Sequence, residues 1–412
     1  MAKVGYWLWL STLAGVSAQS KLRVVKHFGS PEAVFRADPA RFSEVEGLRS
    51  AEIRALKFRD VHRAENVLED CRKFGIKILT LEDERYPRRL LNIDVPPLVL
   101  YYKGTVLPFD DLPAVAVVGA REGSRYGRDQ AKRLGYELAR CGGVVVSGAA
   151  RGVDSEALEG ALQCGAPVAA VLGNGLDVVY PQENGKLYEA VAAHGCLMSE
   201  YVPGTAPLGR HFPIRNRIIS GLCLGTLVVE GTMKSGSLIT AELALEQGRD
   251  VYAVPGNLGE HCCEGSNRLI QDGASLVTCG WDIMQNYQAR FPDRVRHYEK
   301  DPGKNTAQQS GSEQVETGKT DPASAASIPP ESEKRIDNGQ KRNYIDLQQI
   351  KQTLSEPQQK LMETLDGGRM HVDDLIAKSG LPAAQVSAAM TMLELKGLVT
   401  RQTGNFFVSN AI

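Results

Sequence analysis

The segment AVAVVGAREGSRYG, Ala114–Gly127, decides the fold of this chain. Its run of apolar residues through Val118 is typical of a strand buried on both faces, and a loop of glycine, serine and arginine follows from Gly119. The spacing from Arg128 to Cys141 predicts a helix after that loop. Backbone amides at such a helix start attract phosphate. Three arginines add positive charge there: Arg121, Arg125 and Arg128. Because a single nucleotide needs fewer arginines than three, we interpret the ligand as a polyanion, namely nucleic acid.

Further strand-like segments alternate with helical ones after this stretch, which predicts an extended Rossmann-like fold with a doubly wound parallel sheet. In such sheets ligands bind at the carboxyl edge, where the loops gather. The predicted strands are Val144–Ser147, Val168–Leu172, Cys196–Ser199, Thr226–Glu230 and Val251–Val254.

Length and composition limit the possible classes of protein. The chain has 412 residues, which suggests two to four domains, and its net charge of -1 means that any nucleic-acid binding must come from a local patch. The eight cysteines include no CxxC pair, so we expect no structural zinc, and Cys262-Cys263 is interpreted as a loop feature. Cysteine usage suits a reducing cytoplasm, and no segment beyond the N-terminus approaches a membrane span.

The N-terminal region, residues 1–70, is predicted to be a small helical domain. Its first 18 residues imitate a secretory signal, but the helical pattern continues directly, which favours a packed helix. Two turns, residues 14–17 and 46–50, look like a pair of helix-hairpin-helix (SAM-like) units, in which turn amides face a DNA phosphate. Glycine turns that serve only packing explain the pattern equally well. The basic residues that would suit DNA are Lys21, Arg23 and Lys26.

Residues 71–285 are predicted to form the Rossmann-like domain, with lead-in strands at Ile76–Leu81 and Leu98–Tyr101, where prolines such as Pro87 exclude helix. Residues 286–343 are poor in large apolar residues and predict a flexible polar linker. Residues 344–412 predict three helices and a hairpin, which is a winged helix.

Three further loops in the Rossmann-like domain have compositions suited to an anion. Residues 147–154, SGAARGVD, leave Arg151 free to meet a ligand or to act as a solvated charge, and place Asp154 to cap the next helix. Residues 212–220, FPIRNRIIS, place two arginines around Asn216; we expect one to pair with Glu200 or Glu230 and the other to point into the cleft. Residues 235–237, SGS, form a third small-residue turn.

These loops define the predicted nucleic-acid interface, and Tyr180, placed before a proline, is a candidate for base stacking or a plain loop anchor. No P-loop, dinucleotide fingerprint, nucleophile elbow or HExxH motif occurs, so we predict no catalytic residues, no cofactor and no metal. The predicted nucleic-acid-binding residues are Gly119, Arg121, Ser124, Arg125, Gly148, Arg151, Gly152, Arg215, Asn216, Arg217, Lys234, Ser235, Gly236 and Ser237.

The chain closely resembles the DNA-processing protein A (DprA/Smf) family over nearly its whole length. The resemblance lies in VVGAREGSRYG, VVSGAARGVDSEA, LGNGLDVVYPQEN, FPIRNRIISG, EGTMKSGSLITAELALEQGRDVYAVPG and GSNRLIQDGA, which occur in the family's order and spacing. The resemblance implies a cytoplasmic, non-enzymatic protein that binds and protects single-stranded DNA, loads the recombinase RecA in natural transformation, and forms a homodimer through the Rossmann-like domain.

Two departures from the family pattern are Ala120 in place of the usual serine and Gly231 in place of the usual alanine. The third winged-helix helix carries only Lys396 as a positive charge, which favours partner docking or regulation over duplex binding. The alternative is a Rossmann-like nucleotide phosphoribohydrolase, of whose PGGxGT turn Glu230-Gly231-Thr232 is a faint echo. A third class, a DNA-end scaffold that uses the two flanking domains, predicts that their deletion abolishes binding.

Overall fold

The computed structural model describes residues 2–298, 354–365, 368–396, 398–402 and 406–409. The chain divides into two compact units, residues 1–308 and 309–412. The helices of the first unit are α1 Lys3–Thr12, α2 Ala18–Phe28, α3 Pro31–Arg36, α4 Ser50–Leu56, α5 His62–Lys73, α6 Arg88–Leu91, α7 Arg125–Arg140, α8 Val153–Leu162, α9 Gly185–His194, α10 His211–Leu222, α11 Gly236–Glu246, α12 Glu264–Gln271 and α13 Gly280–Met284. Its strands are β1 Lys77–Thr80, β2 Val99–Gly104, β3 Ala114–Val118, β4 Val144–Ser147, β5 Val168–Leu172, β6 Cys196–Ser199, β7 Gly225–Val228, β8 Asp250–Ala253 and β9 Ser275–Leu276.

All these strands form one sheet in the order β1-β2-β6-β5-β4-β3-β7-β8-β9. The strands from β3 to β9 pair in parallel, whereas β2 pairs antiparallel with both β1 and β6. The chain runs outward from β3 to β6 and returns to β7 on the other side of β3. The predicted doubly wound sheet is therefore confirmed, and its strand order reverses between β3 and β7, where a ligand crevice opens in such folds.

Alternate residues of the central strands face two apolar layers. Val115 and Val117 of β3 join the layer that includes α7, α8 and α9, whereas Ala116 and Val118 join the layer that includes α10 and α11. The four residues from Val115 to Val118 are at most 4% exposed, as expected for a strand covered on both faces. The sheet thereby holds the loops at its carboxyl edge on a rigid base.

The lead-in segment belongs to the sheet itself, because β1 and β2 extend its edge. Pro87 does not exclude helix: α6 begins directly after it, at Arg88. A proline lacks only the amide that the first turn of a helix leaves unpaired, so it is tolerated at a helix start. The expectation that proline excludes helix between residues 75 and 103 is wrong at this position.

The N-terminal helices share a core with the sheet. The predicted first helix is confirmed as α1, and the buried cluster that contains Trp7 and Trp9 also contains Tyr101 of β2 and Val115 of β3. α2 begins after Ser17, whose side chain accepts a hydrogen bond from the amide of Ser20. No described helix is long and apolar enough to cross a bilayer.

Backbone amides at the two glycine turns of this region donate hydrogen bonds to a side chain of the protein itself. The side chain of Glu52, 1% exposed, accepts hydrogen bonds from the amide of Ser17 at 3.0 Å and from the amide of Arg49 at 3.1 Å. Lys21 is buried and donates to the carbonyl of Ser11 at 2.6 Å, so it does not face a DNA phosphate. Of the two interpretations, these contacts favour turns that serve packing.

We expect Lys21 to give the unfolding free energy a distinct pH dependence. Burial lowers the pKa of Lys21 from 10.5 to about 8. Between these two pH values the unfolded chain binds more protons than the folded chain, so the free energy of unfolding rises with pH. Relative to Lys21→Met, the wild type should gain about 2 kcal/mol between pH 7 and pH 10 in urea unfolding.

The matched control for this prediction is Lys26→Met, on the same helix, because Lys26 is exposed. Its pH profile should follow the wild type. A profile of Lys21→Met that is parallel to the wild type would show that the buried ammonium keeps its ordinary pKa.

The predicted polar linker begins too early. Tyr287, Phe291 and Val295 are at most 8% exposed and belong to the core cluster of the sheet. The Tyr287 hydroxyl donates to Asp250 Oδ2 at 2.8 Å. Apolar residues four apart pack one face of this segment on the sheet, although its composition is polar. The rest of the predicted linker, residues 299–343, lies outside the described residues.

The second unit has the predicted elements of a winged helix. Leu361, Leu375, Leu393 and Phe407 belong to its own buried core. The predicted hairpin is confirmed by the antiparallel pairing of Val399 with Ser409, although residues 403–405 lie outside the described residues. The elements are α14 Glu356–Leu365, β10 Met370–His371, α15 Val372–Ser379, α16 Ala383–Leu395, β11 Val399–Gln402 and β12 Phe406–Ser409.

Candidate nucleic-acid interface

A cavity of about 300 Å³, the main cavity, lies at the reversal of strand order. The loops after β3, β4 and β7 border it on one side and the first turns of α10 on the other. Four sequence-distant motifs thus meet because parallel strands end at the same edge of the sheet. The lining residues are Val118, Gly119, Arg121, Ala150, Asp154, Gly209, Phe212, Pro213, Arg215, Asn216, Ile219, Ser235, Gly236, Ser237 and Thr240.

A second, side cavity of about 180 Å³ adjoins the first, and Arg121, Ala150 and Phe212 line both. The Arg121 guanidinium lies 4.8 Å from the centre of the Phe212 ring. The Tyr180 ring is 5.7 Å from the Phe212 ring and tilted by 35°. An exposed cation and two partly exposed aromatic rings therefore stand together at the border of the two cavities. The remaining lining residues of the side cavity are Glu122, Gly148, Arg151, Gly173, Asn174, Tyr180, Pro181 and Tyr188.

The two arginines of α10 have different partners, and the expected pairing of one of them with Glu200 is found. Arg217 pairs with Glu200 at 2.7 Å and does not line either cavity. Arg215 points to the floor of the main cavity but is 4% exposed, and it donates to the carbonyls of Gly148, at 2.9 Å, and Val171. Burial lowers the pKa of Arg215, an effect that Asp154 opposes. Arg215 thus braces the cavity floor and offers little of its charge to a ligand.

The loop after β4 is organised by Asp154, whose predicted role as a helix cap is wrong. Asp154 lies inside the first turn of α8, and its Oδ2 accepts from the amides of Gly148 at 3.1 Å and Ala150 at 3.4 Å. Burial raises the pKa of Asp154, and Arg215 opposes that rise. A side chain at Gly148 would start 2.3 Å from Arg215 Nη1 and 2.6 Å from Asp154 Oδ2, so only glycine fits there.

The start of α7 is also occupied by the protein. A phosphate was predicted there, but the anion that the structure shows is the carboxylate of Glu230, whose Oε2 accepts from the amide of Ser124 at 3.0 Å. A Cβ at Gly127 would lie 1.7 Å from that oxygen, so glycine makes room for the carboxylate. Ser124 Oγ accepts from the amide of Gly127 and caps the helix, which is why α7 begins three residues before the predicted start. Because a carboxylate holds the Ser124 amide, that amide is not free for a phosphate.

The third turn remains open towards the main cavity. Ser235 and Ser237 stand at the start of α11, their hydroxyls 2.7 Å apart, and both line the main cavity. Asn216 Nδ2 donates to the carbonyl of Gly236 at 3.3 Å and ties the turn to α10. The Ser237 amide donates to Ser235 Oγ at 3.3 Å, so at the N-terminus of α11 it is the two hydroxyls that can meet an anion in the main cavity.

The family profile described as DNA recombination-mediator protein A matches residues 77–288, and that of the DprA winged helix domain matches residues 347–405. The first match covers the whole sheet and its loops. The chain belongs to the DNA recombination-mediator protein A family. The suspected resemblance to the DprA/Smf family is thus confirmed.

Some relatives within this family match about half of the chain, and others match nearly all of it. The DNA processing protein DprA of Streptococcus pneumoniae is 45% identical over 50% of this chain and 72% of its own length. The Smf protein of Synechocystis is 31% identical over 97% of both chains. The crystal structure of DNA processing protein A from Streptococcus pneumoniae superimposes with a TM-score of 0.61 at 37% identity, over 69% of this chain and 98% of that chain.

The remaining predicted interface residues of this DprA/Smf family member lie apart from the main cavity. Arg151 is not free, because it pairs with Glu183 at the rim of the side cavity. Arg125 pairs with Asp129 and, with Ser124, borders a different cavity. Gly152 shapes the backbone, since its φ of 73° and its closeness to the Ala120 carbonyl leave no room for a side chain. Lys234 and Arg217 line neither of the two cavities at the strand reversal.

Sequence reasoning missed Phe212 and underrated Tyr180 and Glu230. Phe212 opens the FPIRNR motif, and its aromatic character beside two arginines was a usable signal for base stacking. No local signal marks Glu230 as the partner of Ser124, because the two residues are 106 positions apart and meet only through the pairing of β3 with β7.

Proposed function

We propose that this protein binds single-stranded DNA along the main and side cavities without catalysing a reaction. The observation that carries this proposal is the exposed Arg121 guanidinium stacked 4.8 Å from the Phe212 ring, with Tyr180 beside it. Aromatic faces stack on unpaired bases, and a cation beside them attracts the phosphate chain. Both features stand at the sheet edge where ligands bind in this class of fold.

The phosphates are assigned to Arg121 and to the turn at Ser235–Ser237. The two other predicted anion turns already hold the carboxylates of Asp154 and Glu230, so their amides add little to DNA binding. Because few phosphates are contacted, we expect the affinity for DNA to depend only modestly on salt. Each phosphate contact should contribute about 0.7 to the slope of log affinity against log salt concentration. Stacking tolerates any base, so the sequence specificity should be low.

A single strand fits this site better than a duplex does. Tyr180 is 37% exposed and Phe212 is half-buried. Each ring therefore presents only part of one face at the mouth of a concave site. In a duplex the bases are already stacked on one another, and only a single strand can turn them towards such rings.

The position of Glu230 weighs against the phosphoribohydrolase alternative. That carboxylate is bound to Ser124, is 1% exposed, and does not line the main cavity. Asp154 lines the main cavity, but its Oδ2 already accepts from two amides and its carboxylate faces the buried Arg215. We therefore propose no hydrolytic step.

The proposal is tested by fluorescence anisotropy of the full chain with labelled oligo-dT and a matched duplex at several salt concentrations. We expect preference for the single strand and affinity that falls with salt. Incubation with nucleoside monophosphates should release no free base. Equal affinity for the duplex, or base release, would overturn the proposal.

The finer parts of the proposal are RecA loading, protection of incoming DNA in transformation, a homodimer, and a cytoplasmic location. Exposed apolar side chains on α11, Ile239 at 39% and Leu245 at 61%, support a protein contact at the Rossmann-like sheet. All eight cysteines are free thiols, in keeping with a reducing compartment. Light scattering tests the dimer, and co-sedimentation with RecA tests that partner, for which α16, a helix without lysine or arginine, is a candidate contact.

A further inference from the structure

Three potential metal ligands meet beside the start of α7, outside the cavities assigned to DNA. The sulfurs of Cys262 and Cys263 and a carboxylate oxygen of Glu230 all lie within 4.8 Å of one another. The cysteines belong to the turn between β8 and α12, and Glu230 follows β7, so the pairing of β7 with β8 brings the three residues together. No local sequence pattern connects Glu230 with the two cysteines.

The spacing of the two sulfurs suits one metal ion. Cys262 Sγ and Cys263 Sγ are 3.8 Å apart. Two thiolates bound to one tetrahedral zinc ion at about 2.3 Å have their sulfurs about 3.8 Å apart. A disulfide needs about 2.05 Å between the sulfurs. The pair therefore has the separation of two thiolates that share an ion.

Glu230 supplies an independent observation. Its Oε2 is held by Ser124, but its Oε1, in a residue that is 1% exposed, lacks a hydrogen bond of normal geometry; the donor that faces this carboxylate is the Cys262 thiol. Buried carboxylate oxygens are paired with a donor or a cation in almost all proteins, because an unpaired one is costly. This Oε1 belongs to the carboxylate that lies beside the two sulfurs.

An open cavity of about 540 Å³ leads to the cysteines from solvent. Pro255, Gly256 and Asn257 form part of its wall, and both Cys262 and Cys263 line it. A side chain at Gly256 would start 2.2 Å from Cys263 Sγ, so glycine leaves this sulfur its room. An ion can enter by this cavity, and water can fill a fourth coordination position.

We propose that Glu230, Cys262 and Cys263 hold a thiophilic divalent cation, Zn²⁺ in the first instance. Two thiolates and one carboxylate form a ligand set that favours zinc over magnesium or calcium. Each thiol releases its proton to solvent as its sulfur binds the ion. This site is distinct from the assigned DNA cavities and replaces the interpretation of Cys262-Cys263 as a plain loop feature.

A bound ion has a structural consequence for α7. The Oε2 atom of Glu230 holds the amide of Ser124, and its other oxygen would hold the metal. The ion would then tie the turn before α12 to the start of α7, next to the loop that carries Arg121.

Cobalt titration of the full chain tests the site. The protein is stripped of metal with a chelator, reduced with TCEP, and titrated with Co²⁺ while thiolate-to-cobalt charge-transfer absorption is followed. We expect saturation at one equivalent and loss of the band when Zn²⁺ is added. Cys262→Ser and Cys263→Ser should each abolish the one-equivalent band.

The matched control is Cys164→Ser, which removes another half-buried thiol outside the cluster and should leave the titration unchanged. Glu230→Gln should weaken Co²⁺ binding, and the two serine variants keep the test decisive if this variant does not fold. Absence of a one-equivalent band in the wild type, or an equal loss in Cys164→Ser, would sink the proposal. In that case a thiol proton, not a metal, faces the Glu230 carboxylate.

Discussion

Arg121→Ala should weaken binding of oligo-dT about tenfold at low salt and lower the slope of log affinity against log salt by about 0.7. Arg121 borders both cavities, stacks on Phe212, and has no hydrogen bond or ion pair with another described residue. The variant removes both the cation that meets the phosphate and the cover of the aromatic ring. Fluorescence anisotropy over a salt series measures both quantities.

The control for this prediction is Arg268→Ala on α12, an equal loss of charge from an exposed arginine that pairs with Asp272. Its affinity and salt slope should stay close to those of the wild type. If Arg121→Ala bound oligo-dT as tightly as the control, DNA contact would move to the N-terminal helices or the winged helix. The alternative of a nucleotide-cleaving enzyme would then regain support.

Asp154→Ala should lower the free energy of unfolding by about 3 kcal/mol or more. The substitution removes the acceptor of two loop amides and the negative charge that faces the buried Arg215. A buried guanidinium without an opposing charge is costly, and so are amides shut away from water. Urea unfolding of the wild type and the variant at pH 7 measures the difference.

Two variants separate the causes of this loss. Asp154→Asn keeps an oxygen acceptor for the amides of Gly148 and Ala150, so it should cost less than alanine does. Asp129→Ala removes an exposed carboxylate and should change the free energy of unfolding by no more than about 0.5 kcal/mol. An effect of Asp154→Ala as small as that of Asp129→Ala would mean that the loop is held by other contacts.

Strand positions were the most accurate part of the prediction. The predicted Val168–Leu172 and Cys196–Ser199 coincide with β5 and β6, because continuous apolar runs bounded by polar turns are a strong local signal for buried strands. β7 ends at Val228, two residues before its predicted end, although the Glu230 carbonyl still accepts a hydrogen bond from the amide of Ala120 at 2.8 Å. Local patterns thus located the strands but not the side-chain contacts at their ends.

The cavity residues were predicted only in part. Gly119, Arg121, Asn216 and Ser237 line the main cavity as the motifs suggested. Arg151 was expected to be free, yet it pairs with Glu183, a residue 32 positions away on another loop. Such pairs depend on which loops the sheet brings together, and a single motif does not contain that information.

The sequence by itself determined the doubly wound sheet, the winged helix, and the edge of the sheet where the motifs gather. Those features follow from periodicity, turn residues and the rule that parallel strands end at one edge. Only the tertiary structure decided which of the anion turns are open. Glu230 and Asp154 fill two of them and leave the turn at Ser235–Ser237 beside Arg121, because buried amides take the nearest acceptor that the fold brings to them.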